Sequence, residues 1–182
     1  MKKELRKKYI GEKNKITPDE LHNSSKKIFD QLESSKIFRD SKIIFTYISF
    51  GSEIDTINFI KNNINKKIIV VPKLIDNKMR LIEITSFTNL EKNSYGILEP
   101  KENNFFLGKV DLVITPSVVF SKDGYRLGYG KGYYDRYFEN NNYLYSVGLS
   151  LSCMLKETLP IEDHDKKVDF LITEKEIIKI KD

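Results

Sequence analysis

Short apolar runs separated by stretches of helical spacing constrain this chain more than any other feature. Ile43 to Ile48 and Ile68 to Val71 are continuous β-branched or aromatic stretches and Val110 to Thr115 is a third, mainly apolar run, the pattern of strands buried on both faces of a parallel sheet. Pro72 and Pro116 follow the second and third runs, so both strands are expected to stop there. Thr17-Pro18-Asp19-Glu20 joins a capping Thr, a Pro at the first helical position and a Glu three residues on. Leu21, Ser25, Ile28 and Leu32 then recur at helical spacing, predicting a first long helix to about Ser35. Lys2 to Tyr9 reads as a short basic helix or arm. Asp55-Thr56 opens a second helix, with Ile57, Ile60 and Ile64 on one face, and Asp55 reads as its N-cap. Met79 to Ile84 alternates as a half-exposed strand would. A helix is expected around Tyr133 to Glu139, and strands at Tyr143 to Leu149 and Phe170 to Thr173. Asn89 to Gly108 carries few apolar residues and reads as irregular. Strands alternating with helices indicate an α/β layered sheet, mostly parallel, and 182 residues suit a single domain spanning 1–182.

Several classes are excluded by composition. No apolar run approaches the ~20 residues of a membrane helix, and no apolar stretch follows the basic opening MKKELRKKYI, so neither a membrane span nor a signal peptide is expected. The one cysteine, Cys153, has no partner for an internal disulfide, which points to a reducing cytoplasm. A net charge of +5 favours anionic ligands in general and does not by itself indicate nucleic acid. Of the 31 cations only five are Arg, and Arg126 and Arg136 fall within one short segment.

That segment, Asp123 to Tyr137, concentrates the chemistry. Four of the nine glycines lie between Gly124 and Gly132. Alternating glycines let successive backbone N–H groups converge on one concave point. A strand before the loop and a helix after it would set those donors and the positive helix end around an anion, with a polyphosphate the natural occupant. Lys131 and Arg126 add two full charges. Lys131 is followed by Gly132 rather than Ser or Thr, which excludes a Walker A loop, and Gly128-x-Gly130-x-Gly132 lacks the dinucleotide spacing. Asp135, in the first turn of the following helix, suits Mg²⁺ shared with phosphate oxygens. Glycines alone would make only a tight turn and Asp135 only a cap. Three glycines, two cations, four tyrosines (Tyr125, Tyr129, Tyr133, Tyr134) and an Asp together favour the anion site.

Other groups are weaker in isolation. Lys2, Lys3 and Arg6 could form a second cationic clamp or only a solvated face. Glu53 follows a strand, where ligands gather in α/β sheets. The run Glu162 to Asp165 reads as an exposed acidic loop; His22 and Cys153 read as structural.

The segment Arg126-Leu127-Gly128-Tyr129-Gly130-Lys131-Gly132-Tyr133-Tyr134-Asp135 closely resembles the signature of the 5-formyltetrahydrofolate cyclo-ligase (methenyltetrahydrofolate synthetase) family. Lys2 to Arg6, Glu53 to Thr56, Gly96 to Pro100, Asp111 to Pro116 and His164 to Asp169 match in order along the chain. Ser117 departs from the Gly more usual after the proline. The resemblance implies a three-layer α/β/α sandwich and an ATP-dependent closure of 5-formyltetrahydrofolate to 5,10-methenyltetrahydrofolate, with release of ADP and phosphate. Lys2, Lys3, Glu4, Leu5 and Arg6, with Arg126, Leu127, Gly128, Tyr129, Gly130, Lys131, Gly132, Tyr133 and Tyr134, would then hold ATP. Ile48, Glu53 and the 129 to 133 backbone would hold the folate. Asp135 and Asp165 would hold Mg²⁺, and Lys131, Arg126 and Tyr133 would act at the reacting atoms. The expected partners are folate and ATP, with no nucleic acid or membrane, and the chain is expected to act as a monomer. Two other readings remain at this point: a basic nucleic-acid-binding module, and a sugar-phosphate or acyl-CoA enzyme of similar layering.

Overall fold

The computed structural model describes residues 1–182. Its helices are α1 (Lys2–Lys13), α2 (Pro18–Glu33), α3 (Lys36–Arg39), α4 (Ile57–Asn63) and α5 (Tyr133–Asn140). Its strands are β1 (Ile43–Thr46), β2 (Ile68–Ile75), β3 (Lys78–Ile84), β4 (Leu90–Lys92), β5 (Leu98–Pro100), β6 (Leu112–Thr115), β7 (Val119–Phe120), β8 (Arg126–Leu127), β9 (Tyr145–Leu149), β10 (Phe170–Ile172) and β11 (Ile177–Lys179). Seven strands form one sheet in the order β11-β10-β9-β6-β1-β2-β3. The pairings from β10 through β9, β6 and β1 to β2 are parallel, and β11 and β3 close the edges antiparallel. Ile44 lies in register between Ile69 and Leu112. No helix is long and apolar enough to cross a membrane.

Alternate side chains of each central strand serve opposite faces. Ile44, Ile69, Leu112, Ile114 and Val147 join the main core with Ile28, Phe29 and Leu32 of α2 and Phe59 and Ile60 of α4. Phe45, Val70 and Val113 point the other way, against Phe138 of α5. On that face Phe45 stacks on Tyr134 at 5.4 Å and meets Tyr137 edge-on at 5.1 Å. Helices therefore cover both faces, which is the expected three-layer arrangement. Each fully buried Ile or Leu contributes roughly 2–3 kcal/mol to it. α2 begins as its sequence predicts, with the Thr17 hydroxyl accepting from the Glu20 amide at 3.2 Å.

Four sequence expectations need correction. α1 runs on to Lys13 rather than ending near Tyr9. β2 does not stop at Pro72 but continues to Ile75. Its pairing with β1 ends at Val70, so the missing Pro72 N–H falls where β3 is the only neighbour. β2 and β3 are joined through Asp76 and Asn77, both at positive φ, the signature of a tight hairpin turn. The stretch read as irregular holds the β4–β5 hairpin, in which Leu90 pairs with Pro100. β11 was also not anticipated from the sequence; it caps the sheet beside β10.

Candidate functional site

The strand order reverses between β1 and β6. From β1 the chain moves outward to β2 and β3, and it then returns to build β6, β9 and β10 on the other side. Connections leaving the carboxyl ends of β1 and β6 therefore diverge, and a crevice opens between them. The loop bearing Glu53 leaves β1. Pro116, Ser117, the short β7–β8 hairpin and the glycine loop follow β6. The two sequence features suspected of chemistry meet at this reversal.

The glycine loop is anchored from beneath. Leu127, expected to touch nucleotide, is instead 1 % exposed in the main core. Its carbonyl accepts from the Val118 amide at 2.9 Å and lies 3.0 Å from the Ser117 hydroxyl. Ser117 thus secures the turn by a side-chain contact that a Gly there could not make. Arg126 is also turned inward, with a side chain 5 % exposed. Its guanidinium donates to Asp135 Oδ1 at 2.8 Å and to the Lys166 carbonyl at 3.0 Å, and lies 5.2 Å from the Phe138 ring centre. Burial lowers the Arg126 pKa and Asp135 raises it in opposition. This cation is held by protein groups, so it braces the loop against α5 rather than standing free over the crevice. Lys131, by contrast, is exposed at the loop tip, and Gly132 caps α5 at φ 68°. Tyr133 is half-buried, with the Arg136 guanidinium 5.2 Å from its ring centre.

The first helix closes over this loop. Lys2, Leu5, Arg6, Tyr9 and Lys13 share one helical face. Leu5 and Tyr9 pack on the main core, while Arg6 Nε donates to the Gly128 carbonyl at 2.7 Å. Gly130 sits at φ 100°, a left-handed conformation in which any side chain would be strained, although a Cβ there would meet Arg6 Cζ at an ordinary 3.4 Å. Lys2 Nζ donates to Asp165 Oδ2 at 2.7 Å, and Lys13 Nζ to the Ser117 carbonyl at 3.2 Å. Lys3 and Glu4, expected with their neighbours to hold nucleotide, are exposed. Helical geometry turns them roughly 100° and 200° away from Lys2, so the structure does not bring them to the crevice.

Asp135 and Asp165 both border the crevice. The Lys166 amide donates to Asp135 Oδ1 at 3.1 Å, so the residue next to Asp165 in the chain is bonded to Asp135. Burial acts to raise the Asp165 carboxyl, but Lys2 and the Glu162 amide outweigh it and hold it below the ordinary value. Ligand atoms of Glu162, His164 and Asp165 lie within 4.8 Å of one another. Asp135 Oδ2 has no protein donor, and hard carboxylate oxygens beside an anion-ready loop are the donors Mg²⁺ takes. The residues present therefore fit the ion.

On the opposite wall, Glu53 is held by a compact loop. Thr56 and Ser49 exchange amide-to-hydroxyl bonds at 2.9 and 3.0 Å. Asp55 Oδ1 accepts from the Ile57 amide at 2.9 Å, but the N-cap of α4 is Thr56, so Asp55 stands one position ahead of the cap that its sequence predicts. The Tyr47 hydroxyl donates to the Ile54 carbonyl at 3.0 Å. The Glu53 carboxyl is pushed up to about 7, because burial outweighs the opposing influence of Lys13 and the Phe50 backbone. Burial, with Glu53 nearby, also pushes the Tyr134 phenol well above its ordinary value. The Tyr134 hydroxyl and Thr115 Oγ1 are buried without partners. Ile48, expected against the folate, is 4 % exposed inside the main core and presents no open surface. Phe50 is half-exposed instead, near the tip of the β4–β5 hairpin at Gly96. Sequence reasoning missed Lys13, although its spacing from Lys2 and Arg6 on a helix places all three on one side.

Comparison with known proteins finds similarity over nearly the whole chain. A model of the 5-formyltetrahydrofolate cyclo-ligase family matches residues 1–174. The 5-formyltetrahydrofolate cyclo-ligase of Haemophilus influenzae is 35% identical over 136 residues, covering 70% of this chain and 73% of that protein. The solution structure of Aquifex aeolicus 5,10-methenyltetrahydrofolate synthetase superimposes with a TM-score of 0.89 at 34% identity, covering 100% of this chain and 93% of that one. A Mycoplasma pneumoniae 5,10-methenyltetrahydrofolate synthetase does so with a TM-score of 0.73 at 26% identity, covering 95% and 98%.

Proposed function

The chain belongs to the 5-formyltetrahydrofolate cyclo-ligase family, and from that premise we propose how its residues divide the work of ring closure. It is an ATP-using ligase that converts 5-formyltetrahydrofolate to 5,10-methenyltetrahydrofolate. The chemical obstacle is the formyl oxygen, a poor leaving group. Transfer of the γ-phosphoryl to that oxygen forms a P–O bond, breaks the bond to ADP and leaves the formyl carbon electrophilic. The N10 lone pair then bonds to that carbon, the C–O bond breaks with release of phosphate, and the N10 proton passes to solvent. The protein is asked mainly for positioning and charge neutralisation.

Lys131 and the backbone of 129 to 133 hold the transferring phosphoryl group and the formyl end of the substrate, with Tyr133 alongside. Lys2 and Arg6 bring the first helix onto the nucleotide, and Leu5 seats that helix. Arg126 contributes from below, keeping Asp135 and the loop in register. Asp135 and Asp165 would hold Mg²⁺, which supplies charge neutralisation to the phosphates when bound. Glu53 accepts hydrogen bonds from the pterin on the facing wall. One observation carries the reading: a largely buried carboxylate with a raised pKa stands at the β1 end of the crevice while the Lys131 loop stands at the β6 end. Purified protein mixed with 5-formyltetrahydrofolate and Mg-ATP should develop the methenyl chromophore, dependent on both ATP and the metal. An unchanged spectrum would refute the reading.

A further inference from the structure

Lys13 is the one inward-facing cation of α1 that this division of labour leaves without a task. It lies in the last turn of the helix, where a surface lysine would ordinarily trail into solvent. Here the stem lines a small, mostly apolar pocket of about 20 Å³ with Ile16, Leu21, Ile54 and Met154. The ammonium ends on the Ser117 carbonyl at 3.2 Å. Ser117 stands where the chain leaves β6 for the glycine loop, and Ser52 and Ile54, on either side of Glu53, line the same pocket. Lys13 is therefore wedged between the two connections that define the crevice.

The groups facing Glu53 are Tyr47 from the end of β1, Tyr129 from the glycine loop, Tyr134 from α5 and Lys13 from α1, with Asp55 on its own loop. Only Lys13 among them is a cation. It makes no direct ion pair with the carboxylate, so the Glu53 oxygens stay free to accept from a ligand. Desolvation depresses the Lys13 ammonium and the charge of Glu53 opposes that depression, which places the two in each other's field.

We infer that Lys13 is a positioning residue, holding the Glu53 carboxylate and the Ser117 end of the glycine-loop connection in one register for the donor edge of a bound pterin. The inference rests on Glu53 as the folate contact, and its test separates the two. Lys13→Met keeps the stem in the pocket and removes the charge; Lys13→Arg restores the charge. For each full-length variant, and for Glu53→Gln, 5-formyltetrahydrofolate affinity is measured from pH 6 to 9, together with KM for ATP. Without its cation Glu53 holds its proton to higher pH. The acid limb of folate binding in Lys13→Met should then move up by on the order of one pH unit, weakening affinity near neutrality by roughly tenfold. KM for ATP should stay within about twofold, and Lys13→Arg should recover the wild-type profile. A Lys13→Met profile that superimposes on wild type, or an equal loss of ATP, overturns the role of Lys13 while a folate defect in Glu53→Gln leaves the folate contact standing. Wild-type folate affinity in Glu53→Gln overturns both.

Discussion

Replacing Glu53 by Gln keeps the side chain's shape and removes a charge that burial makes costly. The carboxyl rises from an ordinary 4.5 to about 7 in the folded protein. Each unit corresponds to ~1.4 kcal/mol, so the ionised carboxylate lowers folding stability by about 3 kcal/mol once the pH is above both values. The sign follows from proton counting. Between 4.5 and 7 the folded state binds the proton more tightly than the unfolded chain, so its stabilising effect is complete below that window and lost as pH rises through it. Urea denaturation of wild type and Glu53→Gln from pH 5 to 8.5 should give curves that lie closest at the acid end and separate towards pH 8, with the variant the more stable. In thermal scans the gap should widen by roughly 6–12 °C for a domain of this size. Folate binding should move oppositely, falling by at least roughly tenfold as a charge-assisted acceptor is lost. Stability curves that stay parallel over the whole range would refute the assigned burial cost, whatever happens to folate.

Lys131→Ala should raise KM for ATP by roughly tenfold or more without changing the melting temperature, since the side chain is exposed; normal ATP use in steady-state kinetics would contradict its role. Asp135→Asn should abolish metal-dependent turnover and also cost roughly 2–4 kcal/mol in denaturant, because it strips the buried Arg126 of its counter-charge. An unchanged magnesium titration would remove Asp135 from the metal site. Gly148→Ala would drive a methyl to 2.5 Å from the Phe120 ring, and a loss of about 1–3 kcal/mol is expected on urea unfolding.

Features written in local chemistry were legible from the sequence. Thr17 and Glu20 mark a helix start because capping is settled within four residues, and the continuous runs at Ile44 and Val113 identify central strands because both faces must be apolar. The β4–β5 hairpin was not legible, since half-buried Leu90 and Leu98 stand among polar neighbours and borrow their apolar surroundings from the main core. At the site, the glycine loop announced itself through composition. The inward turn of Arg126 did not: Asp135 lies nine residues on, but the Lys166 carbonyl that completes the pocket around the guanidinium lies 40 residues away. The exposure of Lys3 and Glu4 beside the half-buried Lys2 and Arg6 follows from helical phase, which becomes readable only once the docked face of α1 is known.

The polar tethers of α1 also set an order of events during synthesis. The helix leaves the ribosome ahead of the elements it docks on, and Lys13, Arg6 and Lys2 bond to residues 104, 122 and 163 positions further along. At roughly 5–20 residues per second, Lys2 waits on the order of ten to thirty seconds for Asp165 to emerge. α1 has no fully buried residue of its own to hold it in place meanwhile. The nascent chain must therefore complete its parallel strands before this helix can dock, and the cradle proposed for the nucleotide is among the last parts to become competent.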